Sequence, residues 1–199
     1  MAVRKDMNPL DIINKYAPRG SLTFEMLVEH SSMVRDKALA AAESVRHLRP
    51  DLAFIREASM LHDIGIVLVH EPRLGCTGAY PYICHGYLGR DLLEQEGYPR
   101  HGLVCERHIG TGLTVHDIES QNLPVPKRDM LPRSLEEKII CYADKFFSKT
   151  AGKLGTEKSL AEVRGEMGKF GPERLKAFDE LHALFSKKSS PGKDPRPER

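Results

Sequence analysis

The chain has no run of about 18 consecutive apolar residues, the length a transmembrane helix requires, so no membrane span is expected. Met1 to Lys5 leads into no apolar signal region, and a cytoplasmic rather than an exported protein is expected. Cysteine is scarce. Cys76, Cys84, Cys105 and Cys141 stand 8, 21 and 36 residues apart with no Cys-x-x-Cys pair, which excludes a zinc knuckle or a thioredoxin-like motif. A disulfide framework is not expected in a cytosolic chain of this size. Cys84, Cys105 and Cys141 sit among apolar neighbours and read as buried free thiols.

A surplus of one charge is also missing. The whole chain carries 30 Lys and Arg against 28 Asp and Glu, a net charge of +2. Five of the basic and two of the acidic residues fall in Lys187–Arg199, which leaves 25 against 26 in the body. The basic character belongs to the tail, and a nucleic-acid-binding face, which needs basic clustering in the folded part, is not expected. A β period and an internal repeat are absent as well.

What is present is helix after helix. With 199 residues and 40% hydrophobic content, the chain is long enough for one domain with a real core. Asn8-Pro9 is a helix start, with a capping residue followed by proline at the first helical position. Ser21 opens a second helix, to about His47, with Met26, Leu27, Val34, Ala38 and Ala41 at spacings of three to four. A third runs from Asp51 to about Asp63, with Gly65 suited to a left-handed cap. Pro72, Gly75, Gly78 and Pro81 mark 66–81 as a loop. Helices over roughly 82–96 and 99–109 follow, then a Gly-Thr-Gly turn, a short helical piece and a proline-rich connection over 123–133. Ser134 caps a helix expected to reach about Thr150, and two amphipathic helices cover roughly 157–170 and 172–186. The expected fold is all-α, a single helical bundle. The expected division is an N-terminal helix and linker over 1–20, a main domain over 21–150, C-terminal helices packed on it over 151–186, and a disordered basic tail over 187–199. The apolar residues of 160–185 read as core or as the contact of a homodimer.

Polar residues on apolar stripes carry the chemistry. His30 has Met26, Leu27, Met33 and Val34 as its helical neighbours, so its imidazole faces inward, either bonded to a backbone carbonyl or serving as a ligand. Asp144, with Ile140, Cys141 and Phe147 on its side, is a carboxylate aimed at the core, costly unless a cation meets it. That cation is an arginine, a lysine or a metal ion. His62-Asp63 decides between them: two ligand-type residues close the apolar run Ala58-Ser59-Met60-Leu61 and are followed by Ile64-Gly65. Adjacent helical residues diverge by about 100°, so one ion reaches both only near a helix end.

At these residues the sequence resembles the HD superfamily of metal-dependent phosphohydrolases, specifically the proteins with an HDIG motif. The family pattern of a histidine, a His-Asp doublet and a distant aspartate falls on His30, on His62 and Asp63, and on Asp144, within about 21–150. The resemblance implies an all-helical fold with these four residues around one metal ion. His85 and His108, 23 residues apart between the doublet and Asp144, match the additional ligands of two-metal relatives, in which the doublet aspartate bridges the ions. The alternative for this pair is phosphate binding at a one-metal site. The sequence departs from many relatives in having Ile66 where they place a lysine after the motif. Gly97-Tyr98-Pro99 resembles a cyclic di-GMP phosphodiesterase signature but precedes His108 and reads as a helix connection.

His116-Asp117, a second doublet, lacks an apolar helix before it and reads as a surface pair. His47, His70, His101 and His182 read as solvated. Arg107 and Lys145 flank site residues and are candidates for phosphate neutralisation, with ordinary ion pairing as the alternative. Imidazole and carboxylate ligands suit Fe, Mn, Zn, Co or Ni, two ions being expected. The resemblance then implies hydrolysis of a phosphate ester or anhydride of a small nucleotide by metal-bound hydroxide. Asp63, His85 and His108 are the catalytic candidates, and a group cleaving dinucleoside polyphosphates has a similar layout. Arg73, Tyr80 and Tyr82 are expected in the pocket wall. Two rival functions share the ligands: a di-iron oxygenase and a non-catalytic nucleotide-binding module.

Overall fold

The computed structural model describes residues 7–150, 152 and 154–186; the expected tail over 187–199 lies outside the described residues. Helix α1 (Pro9–Tyr16) starts as its sequence dictates, Asn8 accepting from the amide of Leu10. The long α2 (Leu22–Ser44) is capped by Ser21, and α3 (Leu52–Leu61) by Asp51, each through a side-chain oxygen that satisfies an orphan first-turn amide. A 3₁₀ turn over Ile64–Leu68 leads to a two-residue hairpin, β1 (His70–Glu71) against β2 (Cys76–Thr77), paired antiparallel. Helices α4 (His85–Gln95) and α5 (Pro99–Arg107) follow, then α6 (Val115–Ser120), α7 (Leu135–Asp144), α8 (Leu160–Lys169) and α9 (Pro172–Phe185). The all-α expectation holds, with the small hairpin as its one addition among the described residues. No helix among these residues is long and apolar enough to cross a membrane.

Two expectations need correction. Gly65 does not take the left-handed conformation; it lies inside the 3₁₀ turn. Its role is close approach, because a Cβ there would stand 2.0 Å from the carbonyl oxygen of His85 and 2.5 Å from the amide nitrogen of Gly89. The helix from Ser134 ends at Asp144 rather than about Thr150. Phe146 and Phe147, both buried, turn the chain into the core there, and the Lys158 amide donates to the Phe146 carbonyl.

The interior consists of two main apolar groups. One gathers Val34, Phe54, Ile139 and Ala143 with Val163, Met167, Phe178 and Phe185, so α8 and α9 share the core of α2, α3 and α7. Tyr142 stacks on Phe178 with ring centroids 5.8 Å apart. The other joins Ile13, Leu27, Leu61, Ile64, Ile66, Leu88 and Leu92. Leu27 and Leu61 belong to one group, Val34 and Ala143 to the other, and the inward polar residues of α2, α3 and α7 fall between them. All four cysteines are buried free thiols.

Candidate metal centre

Four of the six residues singled out from the sequence stand at or next to helix ends. His62 directly follows the last residue of α3, His85 is the first of α4, His108 directly follows α5, and Asp144 is the last of α7. There the chain direction changes, and side chains from different helices can converge as they cannot along a helix shaft. His30 reaches in from the middle of α2, fully buried.

Three of the imidazoles are held by one device. His62 Nδ1 lies 2.7 Å from the Ser59 carbonyl oxygen, His85 Nδ1 2.6 Å from that of Tyr82, and His108 Nδ1 2.7 Å from that of Cys105. Each partner is three residues back. A carbonyl oxygen only accepts, so each Nδ1 carries the proton, an assignment made from the network. In the neutral ring Nε2 then has a free lone pair, and such orientation by a backbone carbonyl is how metal-binding histidines are fixed.

All the Nε2 atoms turn toward Asp63. Its Oδ2 lies 3.2 Å from His30 Nε2 and 3.1 Å from His62 Nε2; its Oδ1 lies 3.4 Å from His85 Nε2 and 3.3 Å from His108 Nε2. Asp144 Oδ1 completes the first side, 3.1 Å from His30 Nε2 and 3.4 Å from His62 Nε2. Two donor groups result, His30, His62, Asp63 and Asp144, and Asp63, His85 and His108, with ligand atoms in each group within 4.8 Å of one another. Bonds of about 2.0–2.1 Å to one ion set donors about 3.0 Å apart at right angles and about 3.4 Å apart at tetrahedral angles. The observed separations match that spacing. His62 Nε2 and Asp63 Oδ1, both buried, have no aligned hydrogen bond among the described residues. The donor chemistry, nitrogen and oxygen without thiolate, fits divalent transition ions, and Asp63 belongs to both groups.

The electrostatics follow from burial. Removal from water disfavours a charged His62, yet the carboxylates of Asp63 and Asp144 outweigh this and hold its pKa up at about 9. Burial likewise opposes ionisation of Asp63, but His62 and Lys149 keep its carboxyl well below the usual range; Lys145 and Lys149 do the same for Asp144. Burial dominates at His85, pushed down to about 3, and lowers His108.

The remaining candidates divide. Lys145 Nζ donates to Asp144 Oδ2 at 2.8 Å and to the His108 carbonyl at 2.9 Å, so it braces the cluster. Arg107 instead pairs with both carboxylate oxygens of Glu137 at 3.0 Å. His116 is exposed, while Asp117 closes the capping box of α6 and pairs with Arg174, away from the centre. His47 and His70 are exposed as expected. His101 is buried instead, its Nε2 3.3 Å from Glu57, and His182 is half-buried against the Tyr142 hydroxyl at 3.0 Å. The rings pack on Phe54 and Phe178. Ile66 is fully buried in apolar surroundings.

Sequence reasoning missed Lys149, because the helix was expected to continue through it. Its Nζ lies 2.8 Å from Asp63 Oδ2 and 4.0 Å from Asp144 Oδ1. Lys149 also lines a cavity of about 600 Å³ with Arg73, Leu74, Tyr82, Phe147 and Lys158. Arg73 and Tyr82 thus stand where expected; Tyr80 is exposed and not part of this lining.

The HD domain family model matches residues 27–148. An uncharacterized protein of Methanocaldococcus jannaschii is 34% identical over 127 residues, 62% of this chain and 68% of that protein. A tRNA (cytidine(56)-2'-O)-methyltransferase of Thermoplasma volcanium is 29% identical over 140 residues, 70% of this chain but 35% of the enzyme, so the likeness spans about a third of that relative. The HD domain of the L. monocytogenes phosphodiesterase PgpH, solved in complex with cyclic-di-AMP, superposes with a TM-score of 0.51. It covers 92% of this chain and 97% of its own at 18% identity, which is a likeness of fold. With the family model spanning all six converging residues, the chain belongs to the HD domain family of metal-dependent phosphohydrolases.

Proposed function

We propose that this protein hydrolyses a phosphate ester or anhydride of a small nucleotide, using divalent ions held by His30, His62, Asp63, His85, His108 and Asp144. The observation that carries the proposal is the set of three imidazoles pinned at Nδ1, their Nε2 atoms facing one buried carboxylate beside a cavity with cationic walls. Such ions, when bound, supply Lewis acidity and a water acidified toward neutral pH. The chain's own residues do the rest. Asp63 offers one oxygen to each donor group and sets their separation. The carbonyls of Ser59, Tyr82 and Cys105 fix the orientation of the imidazoles before any ligand arrives. Lys145 holds Asp144 in place. Lys149, Lys158 and Arg73 bring N–H donors to the cavity wall, which phosphate oxygens can accept from. A nucleotide is favoured by the cyclic-di-AMP bound to the PgpH domain, whose fold this chain shares.

The N–H donors of this lining favour hydrolysis over oxygen chemistry at the same ligands. A screen for phosphate release across mononucleotides, dinucleotides and nucleoside polyphosphates, with Mn²⁺, Fe²⁺, Co²⁺ or Ni²⁺, tests the proposal. Release that depends on metal and on Asp63 is expected. Oxygen uptake by the iron-loaded protein without phosphate release from any nucleotide would overturn it.

A further inference from the structure

Three cations face the 600 Å³ cavity, and they differ in what already holds them. The Arg73 guanidinium makes two bonds to Glu71, at 2.8 and 3.2 Å. Lys158 Nζ donates to Glu166 Oε2 at 2.7 Å and lies 3.5 Å from the Lys145 carbonyl oxygen. Each of these is paired with a carboxylate outside the ligand cluster, Glu71 on the cavity wall for Arg73 and Glu166 beyond it for Lys158. Lys149 is placed differently. Its partner is Asp63, the carboxylate that both donor groups share, at 2.8 Å, and its side chain is 14% exposed. It stands where the cavity meets the ligand cluster.

An ammonium carries three N–H donors. Asp63 takes one and the Tyr82 hydroxyl stands against another, which leaves a third for the cavity that Lys149 lines. Lys149 lies on the segment beyond the end of α7, so its backbone is not held in a helical ladder. Beside it, Tyr82, Phe147 and Leu74 form apolar and aromatic walls of the same cavity. A phosphoryl group entering from the cavity therefore meets Lys149 as it reaches the ligand cluster, while a planar or apolar leaving group is left against the aromatic side.

We propose that Lys149 is the phosphate anchor of this site: its ammonium binds a non-bridging oxygen of the substrate's terminal phosphate, and the cavity walled by Tyr82, Phe147 and Leu74 takes the group attached to it. This rests on the phosphohydrolase reading for the identity of the substrate, but the anchoring itself is tested separately. Lys149 touches the substrate and needs no change in the metal ligands. The assignment differs from that of Lys145, whose ammonium is committed to Asp144 and the His108 carbonyl.

The experiment is calorimetric titration of inorganic phosphate into the metal-loaded full chain, compared with Lys149→Met, Lys149→Gln and Lys149→Arg, with metal content read by plasma emission. The expected result is unchanged metal content, phosphate affinity weakened at least about tenfold in the Met and Gln variants, as for loss of a charged hydrogen bond, and recovery of much of it in the Arg variant. Equal phosphate affinity in wild type and variants, or no phosphate binding by wild type, overturns the anchor. Loss of metal from both the Met and Gln variants also overturns it, showing a lysine that merely neutralises Asp63. If no nucleotide is hydrolysed while phosphate binding still depends on Lys149, the proposed function fails and the anchor stands.

Discussion

His85 and His108 present Nε2 atoms 3.2 Å apart, and each ring has its Nδ1 proton committed to a backbone carbonyl. Neutral rings in that tautomer point two lone pairs at each other, an arrangement that repels unless a proton or a cation lies between. Burial pushes His85 down to about 3 and lowers His108, which disfavours a shared proton near neutral pH. A cation held by the pair together with Asp63 Oδ1 would remove that repulsion. The expectation is two metal ions per wild-type chain and one in His85→Ala, measured by plasma emission after gel filtration. Two ions retained in His85→Ala would mean that the pair is not a ligand set.

Asp63 belongs to both donor groups, whereas Asp117 of the second doublet serves α6 and Arg174. Asp63→Ala is therefore expected to lose both ions and at least about a thousandfold in kcat/KM, on the order of 4 kcal/mol. His116→Ala is expected to keep wild-type turnover. Parallel assays of phosphate release decide this, and an inactive His116→Ala would place the active centre at the second doublet.

His30 and Asp144 are legible because each breaks an apolar pattern at helical spacing, whereas His62-Asp63 is read from a doublet closing an apolar run and His85 and His108 from the family resemblance. His30 sits among Met26, Leu27, Met33 and Val34, and Asp144 follows Ile140 and Cys141, so orientation could be read from periodicity. Lys149 broke no pattern. Its place depends on α7 ending at Asp144, and nothing local in Lys145-Phe146-Phe147-Ser148 announces that end; tertiary burial of the two phenylalanines imposes it. His101 was misjudged for a related reason: its neighbours Pro99, Arg100 and Gly102 look solvated, but α5 turns this ring onto Phe54. Gly65 was recognised as necessary for the wrong cause, since a close approach to α4 leaves no trace in the sequence of α3.

That approach has a measurable consequence. A Cβ on Gly65 would press on the backbone of His85 and Gly89, which cannot yield as a flexible side chain can. Gly65→Ala is expected to destabilise the fold by about 3 kcal/mol, the upper range for overpacking. It should also weaken metal binding, because α4 carries His85. Denaturant unfolding and metal titration read the two effects, and a variant of wild-type stability would refute the close packing.

Phe178 tests whether the last two helices belong to the same cooperative unit. It is fully buried against Tyr142 of α7, with Phe146 at a centroid distance of 6.0 Å. Phe178→Ala should cost about 3–5 kcal/mol in a single unfolding transition. A second, separate transition would mean that α8 and α9 unfold on their own.

Stability of the metal-free chain should peak between two limbs set by buried histidines. His62 has its pKa raised from 6.5 to about 9, so the folded state holds a proton that the unfolded chain releases. Its contribution is complete below pH 6.5 and fades as pH rises through 9. His85 is the opposite case, lowered to about 3, so the unfolded chain binds the proton first and stability falls as pH drops from 6.5 toward 3. Acid also protonates Asp63 and Asp144, held low by neighbouring cations, which steepens that limb. Metal binding requires His62 to be deprotonated, so adding the ion at pH 7 should release a proton, and saturating metal should remove the alkaline limb. Thermal unfolding from pH 4 to 10 with and without Mn²⁺, together with proton release by calorimetry in buffers of different ionisation enthalpy, measures both. Identical alkaline limbs with and without the ion would place the metal somewhere other than on His62.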